Sequence, residues 1–385
     1  MSPAPVNPTR VSPVRTGLGM VWPLAAALVY ALVVHFGGRT VLDPYYAILL
    51  VTIGINITLA VSLNMVNGFT GQFSMGHAGF LAVGGYACGI VTYYGSAKVF
   101  GSTAMRQGQL CGMPLETAGL PFLGGGEWFF LLALLVGGLV AAGLGYIVGL
   151  PSLRLRGDYL AIVTLGFGEI VRVVIQQSGK VIKAGGGKSA EQLIRDAPLY
   201  TLPGSVGGSL GFDNLPKYTS LFWAHLAAAA TVLVAYRLKS STYGRAFLSI
   251  REDEVAAEAM GVNTTKFKVR AFVLAAFFAG VAGGLYGSTL GVALSPVDAG
   301  FQKSFDIIIM VVLGGLGSIS GAVVAAVVVT LLPEWLRGVA EYRMIIYALT
   351  LILLMIFRPQ GLLGVREAWE MPLLRKWMGG KRGGT

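Results

Sequence analysis

Charged residues are scarce in this sequence. Only 12% of its 385 residues are Asp, Glu, Lys or Arg, against roughly 25% in a soluble globular domain. The scarcity excludes an ordinary soluble protein, and the 55% content of apolar residues points the same way. In a soluble chain, the net charge of +11 would suggest nucleic acid as a partner. In a chain this apolar we expect a lipid membrane and no nucleic acid.

Cysteine and histidine are rare as well, with two Cys and three His in the whole chain. Cys88 and Cys111 exclude any disulfide framework beyond a single bridge, and no Cys/His cluster has the spacing of a zinc site. Residues 182–189 lack the first glycine of a P-loop, and residues 315–320 lack the last glycine of the dinucleotide fingerprint. We therefore expect no metal, no cofactor and no nucleotide site in this chain.

Long apolar stretches are abundant. A helix that spans a membrane needs about 20 mostly apolar residues. Nine windows qualify: 21–36, 45–66, 78–94, 128–150, 159–176, 220–236, 269–291, 304–336 and 344–357. The eighth is too long for one span, and the four glycines between Gly314 and Gly321 predict that it is a hairpin of two helices. The predicted fold is an all-α polytopic bundle of about ten transmembrane or re-entrant helices.

The basic residues orient this bundle, because Lys and Arg concentrate in short cytoplasmic loops. Four segments, before the first span and after the fourth, sixth and last spans, hold 17 of the 29 Lys and Arg residues. Both termini are then cytoplasmic. The predicted layout is a cytoplasmic tail at 1–20, a transmembrane domain at 21–357 with a cytoplasmic loop at 237–270, and a cytoplasmic tail at 358–385. No small-residue cleavage site follows the first apolar run, so we expect a retained helix, not a signal peptide.

Two glycine-containing breaks interrupt the apolar pattern. Residues 68–77 are rich in glycine and polar side chains between two spans. A membrane tolerates such a broken or re-entrant segment only where protein or a watery cavity satisfies its backbone, the alternative being a plain interhelical turn. Paired breaks often flank a transport route. We assign the following residues of the two breaks to a translocation pathway: Gln72, Ser74, His77, Gly314, Gly315 and Gly317.

Glu169 and Arg172 lie three residues apart on one face of the fifth span. This spacing predicts a mutual ion pair near the membrane boundary. The alternative is a role in transport, and Glu169 is therefore kept among the pathway candidates. Small residues spaced four apart, such as Gly280 and Gly284, predict helices that pack closely against their neighbours.

A short amphipathic helix is predicted in the loop after the sixth span. Ser249 and Glu252 have the spacing of a capping box, acidic residues occupy the first turn, and Gly261 can end the helix. About eleven residues make roughly 16 Å, which is too short to cross a membrane. Its acidic start opposes binding to an anionic lipid leaflet, so a protein partner is expected. The apolar stripe offered to that partner is Val255, Ala256, Ala259 and Met260.

Residues 241–261, STYGRAFLSIREDEVAAEAMG, resemble the coupling loop of permeases in ATP-binding-cassette importers for branched-chain amino acids, specifically the LivM-type subunit. Residues 68–85, 153–172 and 304–321 and the later sequence FRPQGLL are similar to the same family, in the same order. The resemblance covers most of the chain between residues 52 and 364.

The resemblance implies an importer permease of the bacterial inner membrane that is not itself an enzyme. Its expected partners are a homologous second permease, two cytoplasmic ATPases that consume the ATP, and an external substrate-binding protein. The loops at 95–127 and 185–216 look longer than the family's usual ones, which affects the expected contacts with that binding protein. The resemblance also implies a helix that docks into an ATPase. Its residues are Arg251, Glu252, Asp253, Glu254, Val255, Ala256, Ala257, Glu258, Ala259, Met260 and Gly261.

Three alternatives remain open at this point. The substrate need not be leucine, isoleucine or valine, because another small amino acid is an alternative and related permeases carry urea and short amides. A proton-coupled transporter would use Glu169, Asp306 or His77 as its relay, although the spans contain few carboxylates. An intramembrane enzyme would use His77 as a base, but no second catalytic group stands at a telling spacing.

Overall fold

The chain forms a bundle of α-helices in the computed structural model. The structure describes residues 13–41, 43–99, 125–153, 159–183, 189–198, 200–213, 215–289, 292–336, 342–357, 361–362, 364 and 367. Its α-helices are α1 Pro13–Val41, α2 Pro44–Asn67, α3 His77–Ile90, α4 Ser96–Val99, α5 Gly125–Ser152, α6 Tyr159–Gln176, α7 Ala190–Asp196, α8 Leu221–Ser240, α9 Thr242–Glu252, α10 Glu254–Ala259, α11 Thr264–Gly287, α12 Phe301–Gly314, α13 Ile319–Trp335 and α14 Arg343–Phe357. The only β pairing among these residues is one isolated bridge, between Phe212 and Leu294. The predicted all-α class is confirmed.

The apolar windows correspond to helices. A π-helical segment, Val91–Gly95, joins α3 to α4, so the window at 78–94 is helical throughout. The long eighth window is indeed two helices, α12 and α13, separated by residues 315–318. Among the described helices, five (α2, α5, α6, α8 and α11) are long and apolar enough to cross a membrane by length and composition.

Some sequence predictions concern residues outside the described ranges. They include Cys111, the basic residues Arg10, Arg154 and Arg156, most of the loop at 95–127, the glycine-rich residues 184–188 and most of the tail at 358–385.

Helix α11 lies at the centre of the bundle, packed against α2, α3 and α5. The contacts are made where glycines face one another. A Cβ atom at Gly84 would lie 2.1 Å from the Gly280 Cα, and one at Gly283 would lie 1.9 Å from the Leu81 carbonyl oxygen. Only glycine allows the backbones to come this close, and the closeness supplies the dispersion contacts that hold helices together in lipid. The packing predicted from Gly280 is confirmed.

The outer helices present apolar side chains to their surroundings. Two thirds of the apolar window of α2 and of α11 is buried (67%), against one third (33%) for α5 and α6. Ile147 on α5 and Ile170 on α6 are each 64% exposed. Exposing such apolar faces to water would cost free energy. Contact with lipid chains or with another membrane subunit avoids this cost.

Two breaks in the helices meet at one end of the bundle. We call residues 68–76, between α2 and α3, the first break and residues 315–318, between α12 and α13, the second break. Asn64, fully buried on α2, joins them: its Oδ1 accepts from the Gly317 N–H at 2.9 Å and its Nδ2 donates to the Ser318 carbonyl at 3.0 Å. A Cβ atom at Gly68 would lie 2.4 Å from the Gly317 nitrogen. The two breaks therefore form one contact region, although they lie about 250 residues apart in sequence.

Residues of the chain beyond α14 pack onto the second break. The Leu362 N–H donates to the Leu313 carbonyl at 2.7 Å. The Glu367 carboxylate, 2% exposed, accepts from the backbone N–H groups of Ile319 and Ser320, each at 3.1 Å, and forms an ion pair of 2.5 Å with Lys239. An acidic group at the start of α13 satisfies free N–H groups and interacts favourably with the helix dipole. Glu367 thereby ties α8 to α13.

Replacing Glu367 by Gln is expected to destabilise the bundle by about 1–3 kcal/mol, because Lys239 loses its carboxylate and the α13 N-terminus loses a charged acceptor. The measurement is thermal unfolding of the purified protein in detergent. Glu252→Gln, at an exposed carboxylate, is the matched control and is expected to leave the midpoint nearly unchanged. Equal midpoints for Glu367→Gln and the wild type would contradict the assignment.

The same pair carries a pH signature. Burial acts to raise the pKa of the Glu367 carboxyl, but Lys239, the N–H groups of Ser320 and Ile319 and the Ser320 hydroxyl outweigh it, and the pKa is lowered from 4.5. A group with a lowered pKa stabilises the fold above its unfolded pKa, and the contribution is lost as the pH falls through the folded pKa. The difference between wild type and Glu367→Gln is therefore expected to be constant near neutral pH and to shrink below pH 4.5.

Candidate coupling helix and translocation pathway

The loop between α8 and α11 folds into two helices that meet at Asp253. Asp253 adopts an extended backbone (φ −156°, ψ 113°), ends α9 and caps α10. Its Oδ1 accepts from the Val255 N–H at 2.9 Å and from the Ala256 N–H at 3.0 Å. A carboxylate in this position satisfies the free N–H groups and complements the helix dipole.

The predicted start of this helix, a capping box from Ser249 to Glu252, is wrong. Both residues belong to the last turn of α9, where the Ser249 hydroxyl donates to the Ala246 carbonyl at 2.9 Å. Asp253 competes better for the cap because it brings a charged acceptor directly ahead of α10. The predicted end is confirmed, since Gly261 follows α10 in the left-handed region with φ +87°. Only glycine adopts this conformation without strain.

The assigned coupling residues therefore span two elements. Arg251 and Glu252 end α9, Asp253 is the junction, and the remaining residues form α10 and its C-terminal turn: Glu254, Val255, Ala256, Ala257, Glu258, Ala259, Met260 and Gly261.

One face of α10 is fixed to the bundle. The buried Lys268 of α11 forms an ion pair of 2.6 Å with Glu254, and the Thr264 hydroxyl donates to Glu258 at 2.7 Å. Ala257 is buried between these contacts. Burial of the Lys268 ammonium is tolerated because Glu254 supplies the opposite charge. Movement of α10 is thus linked to the start of α11.

The opposite face of α10 is apolar and exposed. Val255 is 63% exposed and Met260 is 84% exposed. Ala256 and Ala259 are exposed beside them. All four residues of the predicted stripe therefore lie on the surface of this end of the bundle, where they form a small apolar patch next to charged side chains. Exposed apolar patches with a polar rim are typical of protein interaction sites.

The first break leads from the end of the bundle that carries α9 and α10 into its interior. It begins at Gly68, beside the second break, and is followed by His77, the first residue of α3, whose Nε2 lies 2.8 Å from the Ser62 hydroxyl of α2. Its backbone is satisfied by protein side chains: the Ser74 N–H donates to Asn67 at 3.1 Å and the Met75 N–H to Thr164 at 3.0 Å. This is the condition under which non-helical backbone is stable at membrane depth.

The polar candidates of the first break differ in how fully they are paired. His77 is 3% exposed and bonded to Ser62, and Ser74 is 1% exposed with its backbone held at both ends by Asn67. Gln72 is 8% exposed, yet its Oε1 finds no hydrogen-bond partner among the described residues. An unpaired buried acceptor is costly, so Gln72 is the residue of this group with spare capacity for a ligand.

Glu169 lies away from the second break, near the start of α12. Its Oε2 accepts from the Arg172 Nε at 2.6 Å, so the predicted ion pair is confirmed. Its Oε1 accepts from the Phe301 N–H at 3.2 Å at the N-terminus of α12. The second break lies at the other end of α12, about 21 Å away for a helix of 14 residues. Glu169 and the glycines 314, 315 and 317 are not brought together.

Sequence reasoning missed three residues that organise the end of the bundle where the two breaks meet. Asn64 is a polar residue within a predicted span, and its partners at Gly317 and Ser318 cannot be inferred from its position in the sequence. Lys239 and Glu367 looked like ordinary charges of cytoplasmic segments. Lys239 also donates to the Gly317 carbonyl at 2.8 Å, so it contacts the second break directly. Among the described residues, no group of three or more His, Cys, Asp or Glu side chains could hold a metal ion.

Comparison with known proteins identifies the family. The family described as "Branched-chain amino acid transport system / permease component" matches residues 45–356. The high-affinity branched-chain amino acid transport system permease protein LivM of Salmonella typhimurium is 35% identical over 322 residues, which cover 80% of this chain and 68% of the relative. LivM of Escherichia coli K12 is 33% identical over the same coverage of both chains.

The related permease protein LivH of Escherichia coli K12 is 31% identical over 166 residues, which cover 42% of this chain and 53% of the relative. No solved structure matches the chain. The match to the family extends over most of the helical bundle and includes both breaks and the α9–α10 segment. The chain therefore belongs to the family of permease components of branched-chain amino acid transport systems.

Proposed function

We propose that this multi-pass membrane permease takes a branched-chain amino acid from an external binding protein and releases it into the cytoplasm, driven by ATP that two separate ATPase subunits hydrolyse. The family and the LivM and LivH relatives support the transport function and its substrate class. The occurrence of LivM and LivH as distinct permeases supports a heterodimer with a homologous second permease. The chain itself binds no cofactor in this proposal.

The exposed apolar face of α10 is the observation that carries the coupling part of the proposal. A short helix fixed to the bundle on one side, with Val255 and Met260 exposed on the other, is suited to dock into a soluble partner. In an importer this partner is an ATPase. Closure of the two ATPases would move α10, and the bundle would open alternately to the two sides of the membrane.

The orientation of the bundle in the membrane follows from the positive charge around the α9–α10 segment. Basic residues surround the α9–α10 segment, at the end of α8, in α9 and at the start of α11: Arg237, Lys239, Arg245, Arg251, Lys266, Lys268 and Arg270. Positive loops face the cytoplasm. This end is therefore cytoplasmic in the proposal, as are both termini, and the long loops at 95–127 and 179–219 are external.

The proposal is tested by purification and reconstitution. The tagged chain, isolated in mild detergent from its native membrane, is expected to bring a homologous permease and two ATPases, identified by mass spectrometry. In liposomes the complex is expected to accumulate leucine, isoleucine or valine only with ATP and the binding protein. Uptake of urea or amides instead would change the substrate assignment. A chain that purifies alone and transports without ATP would contradict the importer.

A long charged side chain on the exposed face of α10 is expected to uncouple ATP hydrolysis from transport. Ala256→Arg places a long cationic side chain in the centre of the apolar patch without touching the buried face. We expect uptake to fall about tenfold or more while thermal stability is unchanged, because losing one buried apolar contact and burying an unpaired charge each cost over 1 kcal/mol. Uptake of radiolabelled leucine and ATPase activity are measured in the same liposomes.

Ser240→Arg is the matched control, since it introduces the same side chain at an exposed position of this end of the bundle outside α10. It is expected to transport at the wild-type rate. Normal uptake by Ala256→Arg would exclude α10 as the docking element.

Gln72 is the pathway residue whose removal is most informative. The proposed pathway also includes Ser74, His77, Glu169, Gly314, Gly315 and Gly317, but Gln72 has the unpaired buried acceptor. Gln72→Leu is expected to lower uptake about tenfold and leave stability equal or higher, because it removes both a ligand acceptor and an unsatisfied polar group.

The control for this substitution is Thr58→Val, which removes a buried hydroxyl of α2 that donates to the Gly54 carbonyl of the same helix at 3.0 Å. Its uptake is expected to match the wild type once the amount of assembled complex is taken into account. Unchanged uptake by Gln72→Leu with normal assembly would remove Gln72 from the pathway.

A further inference from the structure

Arg251 lies at the point where the coupling segment contacts the membrane core. It is the second-last residue of α9, and Asp253, two residues later, begins the turn into α10. Its backbone is therefore joined to α10 through two residues, while its half-buried side chain extends to the two breaks.

The Arg251 side chain touches both breaks. Its Nη1 donates to the Gly68 carbonyl at 2.9 Å. A Cβ atom at Gly317 would lie 2.6 Å from the same nitrogen, and a Cβ atom at Gly71 would lie 3.1 Å from the Arg251 Cγ. The side chain thus occupies a crevice with glycines of the first break and of the second break on its walls.

The bond to Gly68 is made where the helical hydrogen-bond pattern stops. Gly68 follows the last residue of α2, so its carbonyl has no partner further along a helix. A cationic donor at the C-terminus of a helix satisfies such a carbonyl and interacts favourably with the helix dipole. Gly71 (φ +69°) and Gly317 (φ +88°) hold left-handed conformations that keep space for the arginine.

The two breaks are also where the core is able to change shape. They separate α2 from α3 and α12 from α13, and the backbone there lacks the continuous i→i+4 bonds that stiffen a helix. Rotation at a few residues between helices is the ordinary way in which a packed bundle moves between two arrangements. A residue that contacts both breaks can shift their conformations together.

We propose that Arg251 is the positioning residue through which movement of α10 reaches the two helix breaks, so that α2, α3, α12 and α13 respond as one unit. The inference rests on the proposed function, because it supposes that an ATPase moves α10. It assigns to Arg251 a role distinct from docking: Val255 and Met260 meet the partner, and Arg251 carries the displacement into the membrane core.

The test compares Arg251→Gln with Arg245→Gln in the reconstituted complex. Arg245 lies on the same helix, is exposed, and bonds to Thr242 at 3.2 Å, away from the breaks. Arg251→Gln is expected to assemble with its partners and keep ATPase activity within about twofold of wild type while uptake falls about tenfold or more, the effect of losing a charged hydrogen bond. The number of ATP molecules hydrolysed per substrate molecule transported is therefore expected to rise. Arg245→Gln is expected to leave the ratio unchanged.

Hydrogen exchange separates transmission from folding. With ATPases trapped by vanadate, exchange in the wild type is expected to change in α10 and in both breaks. In Arg251→Gln it is expected to change in α10 but not at 68–76 or 315–318. Equal responses of the breaks in both proteins, or a wild-type ATP-to-substrate ratio in Arg251→Gln, would overturn the proposal.

A second variant covers the case in which Arg251→Gln fails to assemble. Gly71→Asn retains a residue that tolerates positive φ and places a side chain against the Arg251 Cγ, so it displaces the arginine without removing it. The same rise in the ATP-to-substrate ratio is expected, and a wild-type ratio would overturn the proposal. A wild-type chain that recruits no ATPase, or transports without ATP, overturns the proposed function and this inference with it.

Discussion

The contact between the two helix breaks, made by the side-chain amide of Asn64, is the interaction on which the arrangement of this bundle depends. Asn64 is fully buried, and it uses both its acceptor and its donor on the backbone of the second break. In an apolar interior, an unpaired backbone N–H or carbonyl costs several kcal/mol. Side chains therefore complete the backbone hydrogen bonds of both breaks. Asn67 and Thr164 do this at the first break, and Asn64 and Lys239 do it at the second. Glu367, which follows α14, satisfies the adjoining N-terminus of α13.

This requirement explains the positions of Lys239, Glu367 and Arg251. Lys239 donates to the Gly317 carbonyl and pairs with Glu367, while Arg251 donates to the Gly68 carbonyl. Each charge thus has an opposite charge or a free backbone group as its partner, which offsets the cost of removing it from water. The result is a polar junction at one end of the bundle, held between helices whose remaining contacts are glycine-mediated and apolar. Movement at the junction changes hydrogen bonds, whereas movement in the glycine-packed core would create clashes.

The α9–α10 segment is built onto this junction from the outside. Glu254 and Glu258 fasten α10 to the start of α11, which is the central helix of the bundle, and Arg251 fastens the end of α9 to the breaks. The apolar face of α10 with Val255 and Met260 stays exposed. A displacement applied to α10 therefore has two physical routes into the membrane core, one through α11 and one through Arg251. The first moves a stiff helix as a body, and the second acts on the backbone segments that lack helical bonds.

The sequence by itself determined the spans, the hairpin at 304–336, the ion pair of Glu169 with Arg172, the close packing at Gly280 and the end of α10 at Gly261. Each follows from local chemistry: apolar length, residue spacing or backbone freedom. The predicted start of α10 was wrong because two residues that can cap a helix, Ser249 and Asp253, lie close together. Which of them caps α10 depends on how far α9 extends along the bundle. Only the tertiary structure decided that the two breaks touch, that Glu367 returns to cap α13, and that Arg251 lies between the breaks. Those contacts join residues 48 to 253 positions apart, and no local pattern encodes the pairing of such distant hydrogen-bonding groups.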